Sequence, residues 1–288
     1  MEQQLKDIIL VPTDFSETCR NAIDHGTELA EYLNYKLMIL HVINRESKNN
    51  LKKERLDVSA ITEKLDDIAN DIREQTRIEV ETLTTEGSIF DKIHQTAKDK
   101  GAKLMVLGTH GKKGLQYLVG SYALKVVTKT PVPVIVVQKR GFNDGYNKIV
   151  FPINGFTEAR QQVRWAIHMA RTFGSEINIF RQPQTDPSLK NKIKEVSAQI
   201  EEAFNKYKIS YSNHEAEKQG NFAGQLITYA SNVKADLIMI MTDADVFSPD
   251  FNAGAWDEKM MYNEPQIPVM CINPIMTGKV YYDFISLT

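Results

Sequence analysis

Residues 8–14 read IILVPTD, and residues 148–154 read KIVFPIN. At an offset of 140, Pro12 falls on Pro152 and Asp14 on Asn154. The match does not stand alone. EGSIFDKIHQTAKDKGAKLMVLGTH (86–110) aligns with QGNFAGQLITYASNVKADLIMIMTD (219–243), and in each the glycine precedes the alanine by 15 positions (Gly87 to Ala102, Gly220 to Ala235). VPVIVV (132–137) then answers IPVMCI (267–272). Segments that recur in the same order mark a duplicated unit. Two domains are expected, residues 1–140 and 141–288. They join at QKRGFNDGY (138–146), where two glycines and an Asn-Asp pair read as a short linker.

Each copy alternates strand and helix. In the first, residues 8–12 form a buried strand, and Ser16 caps a helix whose stripe is Ala22, Ile23, Gly26, Leu29, Ala30 and Leu33. Gly26 costs helix propensity there, which points to a close approach to the sheet. KLMILHV (36–42) is the second strand, and NRESKNNLKKER (44–55) reads as a charged loop or frayed helix start. Ile61, Leu65, Ile68 and Ile72 mark the next helix, and residues 78–83 a strand nearer an edge. Ser88 and Asp91 have capping-box spacing ahead of a helix carrying Ile89, Ile93 and Ala97. LMVLG (104–108) is continuously apolar, as a parallel strand covered on both faces must be. A last helix stops near Thr130 because Pro131 follows, and VIVV (134–137) closes the sheet. In the second copy, strands are expected near 148–152, 176–181, 209–216, 235–241 and 268–272. Helix stripes there run Val163, Ile167, Ala170 and Ile193, Val196, Ile200, Phe204. The fold class is α/β, with two tandem doubly wound domains, each holding a mostly parallel five-stranded sheet. The tail 274–288 has no counterpart in the first copy; its apolar residues suggest an edge strand or a cover.

The bulk composition excludes several functions. With 42% hydrophobic and 25% charged residues over 288 positions, the chain has an ordinary globular balance. A net charge of -2 gives no overall attraction to nucleic acid or anionic lipid. The opening MEQQLKDIILV lacks a basic region before a cleavable apolar stretch, and no segment nears the roughly 18 apolar residues of a membrane helix. A cytoplasmic location is expected. Cys19 and Cys271 lie in different halves beside core positions, and read as buried free thiols in a reducing compartment.

In open α/β sheets, ligands sit beyond the carboxyl ends of the strands, where connections diverge. Two segments of the first copy offer suitable groups. Pro12-Thr13-Asp14 follows strand one; Asp14 can accept hydrogen bonds from an adenine amine or ribose hydroxyl, or can serve as a turn aspartate. GTHGKKGLQYLVGSYALKVV (108–127) follows strand four. Gly108 and Gly111 allow a tight turn with N–H groups facing an anion. Lys112 and Lys113 add charge, and Gly120-Ser121 offers another N–H and a hydroxyl near a helix start. The set suits a di- or triphosphate, and a flexible loop with solvated lysines is the plain alternative. Neither G-x-x-x-x-G-K-[ST] nor G-x-G-x-x-G is present. His110 has no assignable catalytic partner, and His41 reads as a satisfied structural histidine. No CxxC or HExxH occurs, so metal is expected only as Mg²⁺ carried by the nucleotide.

These residues are recognisable together. ILVPTDFS (9–16), ILHV (39–42), the G-x-x-G turn with a later Gly-Ser, and PVPVIVV (131–137) resemble the universal stress protein family of UspA type, here in tandem. The resemblance implies a Rossmann-like strand order 3-2-1-4-5. It implies that Asp14, beside Pro12 and Thr13, touches the adenine end, with the Val42 backbone holding the base. Gly108, His110, Gly111 and Lys112 would take the phosphates, and Gly120 and Ser121 phosphate or ribose. The family places nine residues between its second and third motif glycines and this chain has eight (112–119), which shifts Gly120-Ser121 by about a third of a helical turn. In the second copy Asn154 replaces the aspartate, and MTDADVFSPDFNAGAWDEKMMYNEP (241–265) replaces the glycine turn. Asp243, Asp245 and Asp250 would repel phosphate, so that copy is expected not to bind ATP. The resemblance also implies pairing of the two domains through their fifth strands as a pseudo-dimer, with room for a homodimer of whole chains.

The leading expectation is a stress-response protein whose first domain senses or stores ATP or another adenine nucleotide. Its rival is a nucleotide-independent scaffold or protein-interaction module with an unknown protein partner. An enzyme ranks last, at most a slow ATPase, because no water-orienting base stands out. Nucleic-acid and membrane partners are not expected.

Overall fold

The fold was taken from a computed structural model, which describes residues 6–109, 117–154, 157–218, 220–242 and 255–274. The chain divides into two compact units, Met1–Asn143 and Asp144–Thr288. The first contains β1 (Ile8–Pro12), α1 (Glu17–Leu33), β2 (Lys36–Ile43), α2 (Arg45–Glu54), α3 (Ser59–Gln75), β3 (Val80–Glu86), α4 (Ile89–Asp99), β4 (Ala102–Gly108), α5 (Tyr117–Lys129) and β5 (Val134–Val137). The second contains β6 (Lys148–Ile153), a 3-10 turn (Thr157–Gln162), α6 (Val163–Phe173), β7 (Glu176–Arg181), α7 (Pro187–Lys206), β8 (Tyr211–Glu215), α8 (Phe222–Asn232), β9 (Leu237–Met241), α9 (Ala255–Met261) and β10 (Val269–Ile272).

Strand order in the first unit is β3-β2-β1-β4-β5, and in the second β8-β7-β6-β9-β10. Both are the order 3-2-1-4-5. Every strand pairing described within a unit is parallel. The central strands are the apolar runs of the sequence: Ile9, Leu10, Val11, Leu104, Met105 and Val106 are fully buried, as are Ile149, Val150 and Phe151. Burying each such side chain contributes roughly 1.5–3 kcal/mol before chain entropy is subtracted. The helices cover them with the stripes that periodicity marks. Ala22, Ile23, Leu29 and Ala30 are buried on α1, and Ile193, Val196, Ile200 and Phe204 on α7. Gly26 makes the expected close approach: a Cβ there would lie 2.6 Å from Val11 Cγ2 and 3.1 Å from Leu37 Cδ1.

Three local readings change. The charged stretch after β2 is a capped helix: the Asn44 side chain accepts from Ser47 N at its start, and Arg55 ends it in the left-handed region (φ 56°). None of its residues is buried, so periodicity had no apolar stripe to report. Ser88 occupies the N-cap position of α4 but makes no side-chain capping bond, so the capping box is not closed. The 138–146 segment is no free tether. Asn21 Nδ2 donates to the carbonyls of Gln138 (2.8 Å) and Arg140 (3.0 Å), and buried Phe142 meets His25 edge-on at 5.4 Å. On the other side of the turn, buried Tyr146 packs on Phe173. Aromatic residues at each end bind the join to its own unit. Both cysteines are buried and unpaired, as expected. The 275–288 tail lies outside the described residues.

Filling the Gly26 contact tests this packing. Gly26→Val is expected to destabilise the chain by about 1–3 kcal/mol, because Val11 is a stiff, fully buried neighbour. Urea unfolding followed by far-UV circular dichroism would show it as a lower midpoint; an unchanged midpoint would contradict the close approach.

Candidate functional site

Strand β1 lies between β2 and β4, and successive connections leave it in opposite directions. A crevice opens at the carboxyl end of such a strand. The residues emerging there from β1 are locked by consecutive local bonds. Thr13 N donates to Leu40 O (2.8 Å), extending the β1–β2 ladder one residue past Pro12. Thr13 Oγ1 accepts from Phe15 N (3.0 Å), and Asp14 Oδ1 accepts from Ser16 N (2.9 Å). Ser16 then caps α1 by accepting from Cys19 N (3.4 Å). Side chains of Thr, Asp and Ser thus replace the backbone pairing that ends with the strand. The turn holds Phe15 at φ 66°, a conformation unusual for a bulky residue. Asp14 stays exposed at the tip.

A second layer fixes this turn from β2. The Thr13 carbonyl can only accept, so His41 donates to it from Nδ1 (2.9 Å). In the neutral ring Nε2 then accepts from the Ser47 hydroxyl (3.1 Å). The imidazole stacks on Phe15 (centroids 4.7 Å apart, planes at 21°), and Lys64 Nζ lies 4.4 Å from the Phe15 centroid. His41 is therefore a satisfied structural histidine, as its strand-end position suggests. It also ties the Asp14 turn to α2. Phe15, Ser47 and Lys64 escaped the sequence reading. Only the Asn44-x-x-Ser47 spacing carried a usable signal, that of a helix cap. Burial pushes the His41 pKa below its ordinary value, the Lys64 charge helping, against the Thr13 hydrogen bond and the Asp14 charge.

Val42 is buried in β2 opposite Thr85 of β3, so only its backbone is placed to meet a ligand. Cys19, beneath the turn, is inert as a nucleophile: burial first, then the Asp14 charge, drives its pKa up to about 12.

Strand β4 delivers Gly108 to the same end of the sheet, one strand over from Pro12. Here the structure corrects a reason. A Cβ on Gly108 would lie 2.5 Å from the Thr18 carbonyl oxygen, so the glycine lets α1 approach the strand. The next amide is already engaged, because Thr109 N donates to Val137 O (2.9 Å) in the β4–β5 ladder. His110, Gly111 and Lys112 lie outside the described residues, as does Lys113. Gly120 and Ser121 belong to α5, which begins at Tyr117. Pro12, Thr13, Asp14, Val42 and Gly108 are thus brought to one end of three adjacent strands. Among the described residues, no group of three or more His, Cys, Asp or Glu could hold a metal ion.

A model of the universal stress protein family matches residues 6–138. Residues 6–138 are thus similar to the universal stress protein family. Universal stress protein MJ0577 of Methanocaldococcus jannaschii is 27% identical over 153 residues, 46% of this chain and 94% of that protein. Universal stress protein YxiE of Bacillus subtilis is 28% identical over 151 residues, 45% of this chain and 97% of that protein. A universal stress protein of Archaeoglobus fulgidus, with a solved structure, is similar across 92% of this chain and 98% of its own. Its TM-score is 0.72 at 16% identity, a likeness of fold. Another universal stress protein, solved in complex with cAMP, covers 47% of this chain at 19% identity with a TM-score of 0.37.

The second unit has a different crevice. Register places Phe180 opposite Pro152 as Leu40 stands opposite Pro12, so Arg181 occupies the place of His41. Arg181 pairs with Glu201 (3.3 Å) instead of holding the first strand's turn. Phe180 stacks between Tyr229 (4.7 Å) and Phe222 (5.6 Å). Asn154 follows β6, and Asp243, Asp245 and Asp250 lie outside the described residues. Among the described residues, no helix is long and apolar enough to cross a membrane.

The latch has a pH consequence with a definite sign. His41 and His25 are both held below the ordinary histidine value, burial being the main cause in each. A depressed folded-state pKa gives stability that is complete above the unfolded pKa, about 6.5, and is lost as pH falls toward the folded value. Unfolding free energy should therefore decline from about pH 7 to pH 5, and less steeply in His41→Gln. Urea titrations across that range would check it; identical slopes would contradict the latch.

Proposed function

We propose that the first unit binds an adenine nucleotide, ATP or a close relative, as a regulatory ligand in a stress-response role. The observation that carries the reading is the exposed Asp14 carboxylate, held by a fixed turn at the point where the strand order reverses. Asp14 would meet the adenine or ribose, with Pro12 and Thr13 as its floor and the Val42 backbone as the second contact to the base. The phosphates would run toward the turn after β4, through Gly111, His110 and Lys112, with Gly120 and Ser121 beyond. Mg²⁺ would accompany a triphosphate there. The second unit would stay empty, since Asn154 and the Arg181–Glu201 pair replace the charge and the latch. Binding is the proposed activity, with turnover at most slow.

A nucleotide-independent scaffold has one observation in its favour: Gly108 and the Thr109 amide are already accounted for by α1 and β5. Calorimetry on the full chain separates the two. ATP should bind at one site per chain, and Asp14→Ala should weaken it about tenfold or more, equivalent to about 1.4 kcal/mol. The same variant should lose only about 1 kcal/mol of stability, from the bond to Ser16 N. Absence of binding, or binding unmoved by Asp14→Ala, would favour the scaffold.

A further inference from the structure

Helix α2 carries charge of both signs: Glu46 in its first turn and Lys52 and Lys53 in its last complement the helix dipole, while Arg45 and Lys48 at its start oppose it. It buries none of its residues. Arg45, Lys48, Asn49 and Lys52 fall at i, i+3, i+4 and i+7, which is one helix face. Like charges so spaced destabilise an isolated helix. That face lines an open groove of about 480 Å³ between α2 and the carboxyl ends of β2 and β3, bordered by Ile43, Asn44, Glu86 and Gly87. Lys48 is paired with Glu86. Neither Arg45 nor Lys52 has an ion-pair partner among the described residues. Gly87 (φ 145°) forms the far wall, where a side chain would crowd Lys92. Cationic side chains gathered along a groove suit an anionic ligand.

We propose that this groove binds a phosphorylated small molecule carrying two or more negative charges. Its volume is that of a small-ligand pocket. Three cations against one carboxylate leave a local surplus of two positive charges on a chain whose net charge is -2. An anion seated there would neutralise Arg45 and Lys52 and complement the start of α2. The groove lies off the β2 and β3 ends, whereas the Asp14 crevice lies between β1 and β4, so this inference does not rest on the nucleotide reading.

The test uses the full chain and inorganic pyrophosphate as probe, with calorimetry at low salt. Wild type is expected to bind it saturably, and Arg45→Gln/Lys52→Gln to weaken it about tenfold or more. Lys100→Gln/Lys103→Gln, with the same charge change at the other end of the strands, is expected to change it less than about twofold. Both double variants should keep the Asp14-dependent ATP affinity of wild type, measured as the part that Asp14→Ala removes. Circular dichroism would confirm that α2 variants retain their helix content. The proposal is overturned by the absence of saturable pyrophosphate binding, by equal losses in the two double variants, or by parallel loss of Asp14-dependent ATP affinity and pyrophosphate affinity in the α2 variant.

Discussion

Parallel pairing of β1 with β2 on one side and β4 on the other is the constraint on which the first unit depends. Both neighbours point the same way, so three strand ends arrive together, and the connections from them part to leave a crevice. Everything that follows at that end is an answer to the loss of ladder hydrogen bonds. Thr13 extends the ladder by one amide, then Thr13 Oγ1, Asp14 Oδ1 and Ser16 Oγ take the next backbone donors in turn. The exposed carboxylate is thereby fixed by the strand, not by a ligand. Preorganisation of this kind lowers the ordering cost of binding.

His41 links this turn to the outer part of the unit. Its two ring nitrogens reach the Thr13 carbonyl and the Ser47 hydroxyl, while its face supports Phe15. The crevice and helix α2 therefore share one histidine. A helix with no buried residue belongs to the low-stability end of a fold, the part available for movement or recognition. In the second unit Arg181 turns to Glu201, and stacked Phe180, Phe222 and Tyr229 fill the neighbourhood with apolar rings. The duplicated fold has been kept, and the two strand-end chemistries have separated.

The strands were legible because parallel strands buried on both faces are continuous apolar runs, and IILV, LMVL and VIVV are such runs. The internal repeat made the division into two similar units readable without any structure. Helix α2 was not legible, since periodicity detects a buried stripe and α2 has none. Edge strand β3 was read two residues early at its start and three residues short at its end, its half-exposed residues giving a weak alternation. That Asp14 stands in a turn at the carboxyl end of β1 was legible from its place after a buried strand. The Phe15–His41–Ser47 layer was not, because it rests on His41 meeting Phe15 and Thr13, 26 and 28 positions away, through ring stacking and a carbonyl bond. The packing role of Gly108 was not legible: sequence shows a glycine but not the Thr18 carbonyl pressed against it.

A crystal structure of the full chain soaked with a non-hydrolysable ATP analogue tests the central claim most directly. The account expects density in one unit only, with the base or ribose within hydrogen-bonding distance of the Asp14 carboxylate. Density confined to the second unit, or a fully occupied analogue that leaves the β1–β4 crevice empty, would contradict it.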